Sequence, residues 1–174
     1  AGFNTIPLQG TVSDTNVGDI ISIKYNIDGG TGQTVEETVT TSGSLPDIDI
    51  GVDDLAEGDH TLNVWAVDDR GATSEVQAIP FIVDKSDPIL DSVDFEPTTS
   101  SIIISGSADG NIAGLDNDPY RYTVSTVDPT DWPSTVETSY EFGDLSLNTQ
   151  YTAAFEARDK AGHISRESQD IYTL

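Results

Sequence analysis

The chain has 174 residues with no cysteine and no methionine, and 31 acidic against 7 basic residues give it a formal net charge of −24. This charge excludes nucleic acid as a partner, because phosphate binding requires clustered Lys and Arg, and it disfavours anionic membranes. Without cysteine, stability must come from packing. No apolar run is long enough for a transmembrane helix, and no segment resembles a signal peptide. Since no starting Met is present, we expect the chain to be a piece of a longer protein.

The acidity is shared evenly along the chain. Residues 1–86 carry 15 acids and 3 bases, and residues 87–174 carry 16 acids and 4 bases. An acidic tail is therefore excluded. Three interpretations remain: solubility, a high-salt habitat, or binding of divalent cations.

The first half alternates apolar and polar residues with a period of two, which predicts strands. The pattern is clearest over 6–12, 21–27 and 61–66. Asp28-Gly-Gly is a hairpin signal between two strands. A polar, β-branched segment at 35–41 is typical of an edge strand.

A short polar stretch at 84–88 marks the boundary between two halves, and it is too short to let them drift far apart. The second half repeats the plan, with strands expected around 93–97, 102–106, 120–124, 140–142, 151–157 and 171–174. We expect a long loop over 109–118 in it.

One nonapeptide occurs near the end of each half. The first copy is AVDDRGATS (66–74) and the second is ARDKAGHIS (157–165), with Ala, Asp, Gly and Ser at the same four offsets. Each copy lies between two strand-like segments, so it predicts a hairpin turn. No segment shows a helical period, and many short strands with frequent turns predict an all-β fold of two tandem β-sandwiches.

Specific residues resemble known modules. Leu145-x5-Tyr151, followed by AxFxA and DxxG, resembles the end of a fibronectin type III domain, which implies that Tyr151 forms a tyrosine corner. The ending GDHTLxVxAxDxxG in the first half resembles bacterial Ig-like repeats, and His60 stands there where Tyr151 stands in the second half. The resemblance implies an Ig-like domain over 1–85 and a fibronectin type III-like domain over 86–174.

The acidic loops suggest a metal site. In this topology the loops after the second and sixth strands lie at one end of the sandwich, where the chain enters the second half. Calcium prefers about 6–8 oxygen ligands. The predicted calcium ligands are Asp87, Asn111, Asp109, Asp116, Asp118 and Asp159. The alternative is ordinary turn chemistry, because Asp and Asn side chains bond to local backbone.

Trp65 is the candidate ligand-binding residue. Its neighbours Val64 and Ala66 are expected to point inward, so Trp65 points outward and could stack on a sugar ring or pack on a neighbouring side chain. The sequence contains no nucleophile elbow and no Gly-rich phosphate loop. Its two histidines occupy non-equivalent positions, one at a corner and one at a turn, which disfavours a two-histidine metal site.

Such modules occur in bacterial surface-layer proteins, adhesins and carbohydrate-active enzymes, so the resemblance implies an extracellular or cell-surface location. We expect a non-catalytic spacer, adhesion or surface-assembly module, stiffened by calcium, whose partners are neighbouring domains of the same polypeptide and a cell-surface glycan or protein. The alternative is a carbohydrate-binding accessory module of a secreted enzyme.

Overall fold

The structure is a computed structural model, which describes residues 5–15, 20–40, 43–44, 48–124 and 134–174. These residues form strands joined by turns, without any helix, which confirms the predicted all-β class. Among them, no helix is long and apolar enough to cross a membrane. The chain divides into two compact units, an N-terminal unit, Phe3–Val83, and a C-terminal unit, which contains Asp84–Leu174.

The N-terminal unit contains one four-stranded antiparallel sheet, in the order β4-β3-β7-β8, and two short antiparallel ladders, β1-β6 and β2-β5. Strand β7 is central because it pairs with both β3 and β8. The strands are β1 (Thr5–Leu8), β2 (Thr11–Val12), β3 (Ile20–Ile27), β4 (Gln33–Thr40), β5 (Gly43–Ser44), β6 (Ile48–Gly51), β7 (Gly58–Asp68) and β8 (Gln77–Val83).

Alternating apolar residues of these strands form the core of the N-terminal unit. Each of them is at most 6% exposed, and they come from β1, β3, β6 and β7. The burial follows from the period of two, because every second side chain of a strand points to the same face. The core residues are Leu8, Ile21, Ile23, Ile50 and Leu62.

His60 is the corner residue of this unit, as the sequence predicted. Its Nε2 lies 2.8 Å from the carbonyl oxygen of Ala56, and its Nδ1 lies 2.6 Å from Oδ2 of Asp28. Asp28 occupies the β3–β4 turn with a positive φ of 53°, and its Oδ1 also accepts a hydrogen bond from the backbone N–H of Thr61. The pair therefore joins the hairpin turn to the start of the central strand.

The C-terminal unit contains two three-stranded antiparallel sheets, β12-β10-β9 and β11-β13-β14. Strands β10 and β13 are central in their sheets. The strands are β9 (Ile89–Pro97), β10 (Ile102–Asp109), β11 (Leu115–Val124), β12 (Ser139–Phe142), β13 (Gln150–Asp159) and β14 (Ile164–Tyr172).

Phe155 occupies the centre of the second core with no exposed surface. Its ring centroid lies 5.3 Å from that of Tyr120 and 5.4 Å from that of Tyr122. Gly106 of the opposite sheet faces the same ring, because a Cβ built on it would come within 2.7 Å of Phe155. The remaining core residues are Phe95, Ile102, Ile104, Ala153, Ala157 and Ile171.

The tyrosine corner implied by the resemblance is present. The hydroxyl oxygen of Tyr151 accepts a hydrogen bond of 2.9 Å from the backbone N–H of Ser146, five residues upstream. Tyr140 stacks on Tyr122 but is 51% exposed, because β12 is an edge strand. The loop that contains Trp132 lies outside the described residues.

The loop expected over 109–118 is shorter than predicted. Strand β11 begins at Leu115, which pairs with Asp159, and an irregularity separates this pair from Tyr120. The turn is therefore limited to 110–114. Gly110 makes it possible, since a Cβ there would come within 2.2 Å of the backbone N of Leu115. The expectation was wrong because the polar residues 116–118 lie in an irregular strand and resemble a loop in sequence.

The contact between Gly106 and Phe155 yields a prediction. Gly106→Ala should destabilise the C-terminal unit by about 1–3 kcal/mol, because the added methyl group overpacks a core without free space. The measurement is denaturant unfolding followed by the fluorescence of the tyrosines and tryptophans.

The matched control is Gly143→Ala in the same unit, where an added Cβ meets no atom within 4 Å. This variant should change stability by less than about 1 kcal/mol. Equal effects of the two substitutions would refute the packing argument.

The His60–Asp28 pair predicts a pH dependence. The hydrogen bond to Asp28, followed by the contact with the carbonyl of Ala56, raises the pKa of His60 above its ordinary value of 6.5. The hydrogen bonds from His60 and then from Thr61 lower the pKa of Asp28 below 3.8. His60 therefore contributes stability that is full below pH 6.5 and is lost as the pH rises through its raised pKa. Asp28 contributes stability above pH 3.8 that is lost as the pH falls through its lowered pKa.

The stability difference between wild type and His60→Gln should consequently be largest between these limits and shrink at alkaline pH. Chemical unfolding at a series of pH values measures it. In an Asp28→Asn background the same difference should lose most of its pH dependence. A difference that stays constant with pH in both backgrounds would contradict the role of the ion pair.

Candidate metal centre

The two copies of the nonapeptide form the same turn. In the first copy, Oδ1 of Asp68 accepts a hydrogen bond of 2.7 Å from the backbone N–H of Ala72. In the second copy, Oδ1 of Asp159 accepts one of 2.8 Å from the backbone N–H of His163. A glycine with φ near 90° follows each Asp, at Gly71 and at the corresponding position of the second copy. A positive φ of this size favours glycine, so the repeated Asp and Gly are explained by the turn.

The serine that ends the nonapeptide has different partners in the two copies. Ser74 Oγ accepts a hydrogen bond from the backbone N–H of Ala66, across its own turn. Ser165 Oγ instead donates to the carbonyl oxygen of Pro88, at 2.5 Å. The second turn is therefore attached to the segment that enters the C-terminal unit.

The segment 84–88 is held against the turn 110–114 by two hydrogen bonds, and a third bond lies within the segment. The two oxygens of Asp84 accept hydrogen bonds of 3.0 Å, one from the backbone N–H of Ser86 and one from that of Ala113. Nδ2 of Asn111 donates to the carbonyl oxygen of Asp87, at 2.6 Å. The residues that the sequence marks as a boundary thus belong to the base of the C-terminal sandwich.

These attachments bring three potential metal ligands together. Asp84, Asp159 and His163 each offer a ligand atom within 4.8 Å of the others, and they are the only such group of three His, Cys, Asp or Glu residues in the described part of the chain. The side chain of Asp159 has no exposed surface, and that of His163 is 17% exposed. Nδ1 of His163 lies 3.0 Å from Oδ2 of Asp159.

The other predicted calcium ligands lie outside this group of three, although hydrogen bonds link Asn111 to Asp87 and to Asp109. Oδ1 of Asp109 accepts a hydrogen bond from the backbone N–H of Asn111. Asp116 forms an ion pair with Arg158, with 2.6 Å between Oδ2 and Nη2, and its Oδ1 accepts a hydrogen bond from its neighbour's N–H. Asp87 and Asp118 are exposed. Of the six predicted residues, only Asp159 lies in the three-residue group, and calcium binding by the larger set stays a prediction.

Asp84 and His163 were missed by reasoning from the sequence. Asp84 was treated as a boundary residue, and His163 was set aside because the two histidines occupy different positions. A direct comparison of the two nonapeptides contains the missing signal, since His163 stands where the first copy has Ala72. Both copies form the turn, so the imidazole is an addition that the turn does not require.

Trp65, the predicted ligand-binding residue, is partly buried on β7. Its ring lies over Gly32, since a Cβ built on that glycine would come within 3.3 Å of Cη2 of Trp65. The ring therefore packs against the connection between β3 and β4. Glycan binding by Trp65 stays a prediction.

No protein-family model and no curated protein matches the chain. The chain resembles many solved structures, among them the following three. The FN1–FN3 domains of chicken CNTN1 are 19% identical, covering 91% of this chain and 56% of that one, with a TM-score of 0.49. Domains A168–A170 from titin are 14% identical, covering 97% and 67%, with a TM-score of 0.51. The central fibronectin-III array of RIM-binding protein is 17% identical, covering 97% and 69%, with a TM-score of 0.36.

At these identities the likeness concerns the fold alone, and the titin segment carries that argument. The chain spans little more than half the length of the CNTN1 segment. The fold is all-β, and it is that of tandem fibronectin type III-like and Ig-like sandwiches.

Proposed function

We propose that the chain is a non-catalytic pair of β-sandwich modules that acts as a spacer or adhesion element in a larger protein at a bacterial cell surface. The observation that carries this proposal is the presence of two sandwiches, each with a core of its own, joined directly in one chain. Modules of this fold are commonly used as spacers and adhesion elements.

Strand β8 lies at the edge of the four-stranded sheet in the described part of the chain, and this edge supports a role in which modules stay separate. The backbone N–H and carbonyl group of Thr61 both bond to Asp28, on the side of β7 away from β8. Pro80 is the residue opposite Thr61 on β8, so its backbone groups point to the outer edge of the sheet. Proline has no N–H to donate, and it therefore removes a hydrogen-bond donor from the middle of this edge. Such an edge resists uncontrolled pairing with strands of other molecules.

The even distribution of acidic residues supports the same role. Both halves carry a large excess of negative charge, so copies of the module repel one another and remain soluble. The resemblance of the sequence to bacterial surface modules supports the proposed location.

A spacer built of two separately folded modules should unfold in separate cooperative steps when it is stretched, and single-molecule force spectroscopy tests this. Stretching the whole chain should give two separate events. At about 3.5 Å per residue, the released lengths should approach roughly 280 Å for the N-terminal unit and 320 Å for the C-terminal unit, less the span of each folded unit.

Gly106→Ala should lower the unfolding force only for the event that releases the longer length, because the substitution affects the core of the C-terminal unit alone. Gradual extension without discrete events would overturn the proposed spacer role.

The proposed location predicts that antibodies raised against this chain label intact cells of the source organism. The negative charge and the absence of a need for disulfide bonds are compatible with that location, and the labelling decides it. A cytoplasmic protein of the same organism is the control, and its antibody should label permeabilised cells only. Labelling by both antibodies only after permeabilisation would overturn the cell-surface location.

A further inference from the structure

We propose that Asp84, Asp159 and His163 bind one zinc-class divalent cation at the base of the C-terminal unit. The three side chains come from two segments far apart in sequence, the entry segment and the β13–β14 turn, and their ligand atoms lie within 4.8 Å of one another. The proposal concerns this site alone and does not depend on the spacer role.

A comparison of the two copies of the nonapeptide distinguishes features of the proposed site from features that the turn itself requires. In the first copy, Asp68 forms the turn with Ala72 as its partner and is only partly buried. In the second copy, the same turn carries an imidazole at position 163, and its Asp159 is fully buried. Since the turn forms without a histidine, the turn does not explain the imidazole, whose Nδ1 lies 3.0 Å from the buried carboxylate of Asp159. A cation bound by both groups accounts for their pairing at this turn.

The charges of the site favour a cation. A buried carboxylate is costly unless a counter-charge or hydrogen bonds stabilise it. Asp159 and the half-buried Asp84 bring two carboxylates close to each other, and like charges at this range repel. A divalent cation between them neutralises both, in a position already closed to most solvent.

Backbone donors orient both carboxylates for this role. Each oxygen of Asp84 accepts one backbone N–H, and Oδ1 of Asp159 accepts another. A carboxylate oxygen has two lone pairs, so it can accept a hydrogen bond and bind a metal at the same time. Hydrogen bonds of this kind commonly hold metal ligands in place from the second coordination shell.

The donor set indicates the class of metal. Calcium takes six to eight oxygen ligands and rarely an imidazole, whereas zinc binds imidazole nitrogen and carboxylate oxygen with about four ligands. Zinc bonds of about 2.0–2.1 Å imply distances of roughly 3.3 Å between ligand atoms. The 3.0 Å between Nδ1 of His163 and Oδ2 of Asp159 is within a few tenths of an ångström of that value. Three protein ligands leave the fourth position to water.

Binding through Nδ1 requires that this nitrogen carries no hydrogen. In the metal-free protein, Nδ1 can donate a hydrogen to Oδ2 of Asp159. When the ion binds, the neutral imidazole carries its single hydrogen on Nε2 instead, so the ion takes the place of the hydrogen between Nδ1 and Oδ2.

The test is titration of the chelator-treated full chain with ZnCl2, by calorimetry and by NMR of the imidazole rings. It is run at high salt, which suppresses non-specific attraction of cations to the acidic surface. We expect one zinc ion per chain and a saturable shift of the His163 ring signals. The chain has only two histidines, so the His60 ring is an internal control and should not shift.

His163→Ala should weaken zinc binding at least about tenfold, and its turn should survive because Ala72 occupies the same place in the first copy. Asp68→Asn, in the first copy, is the matched variant and should leave zinc affinity unchanged. The proposal is overturned by the absence of stoichiometric binding, by a shift of His60 instead of His163, or by equal zinc affinity in wild type and His163→Ala. It is also overturned if CaCl2 binds more tightly than ZnCl2 and leaves the imidazole signals unmoved.

Discussion

The packing of Phe155 between the two sheets of the C-terminal unit is the interaction on which that unit depends. The ring is fully buried, two tyrosines flank it, and Gly106 of the opposite sheet leaves room for it. In a chain without cysteine, no disulfide bond joins the two sheets, so burial of apolar surface must hold them together. The positions of the turns at the end of the sandwich, including the candidate metal centre, follow from the register that this core imposes on β10 and β13.

The second constraint is the excess of acidic residues, and the C-terminal unit meets part of it with arginines on one sheet. Glu156 is buried and forms ion pairs with Arg121 and Arg166, on the neighbouring strands β11 and β14. The strand can carry a glutamate in its middle because two arginines compensate its buried charge. Removal of either partner would be strongly destabilising. Asp159, three residues further along β13, faces an imidazole instead of an arginine. The neighbour of Asp159 is therefore a side chain that can bind a metal, whereas the arginines beside Glu156 cannot.

Much of the fold could be predicted from the sequence because strands and turns leave local signals. Alternation located most strands, and the resemblance to known modules implied the corner residues His60 and Tyr151, which lie near the starts of β7 and β13. Gly106 could not be predicted, since its small size is required by a ring 49 positions away in sequence. The early start of β11 at Leu115 was missed for a similar reason, because its pairing with Asp159 is a long-range contact.

The candidate site shows where comparison within a sequence is more informative than composition. Counting oxygen donors near the expected end of the sandwich produced six residues, and most of them are now explained by turns, exposure or an arginine partner. The useful signal was the one difference between two otherwise similar turns, Ala72 against His163. A repeated residue is explained by what both copies share, namely the turn. A residue present in one copy alone must be explained by that copy's surroundings, and the surroundings of His163 are two carboxylates, one of them fully buried.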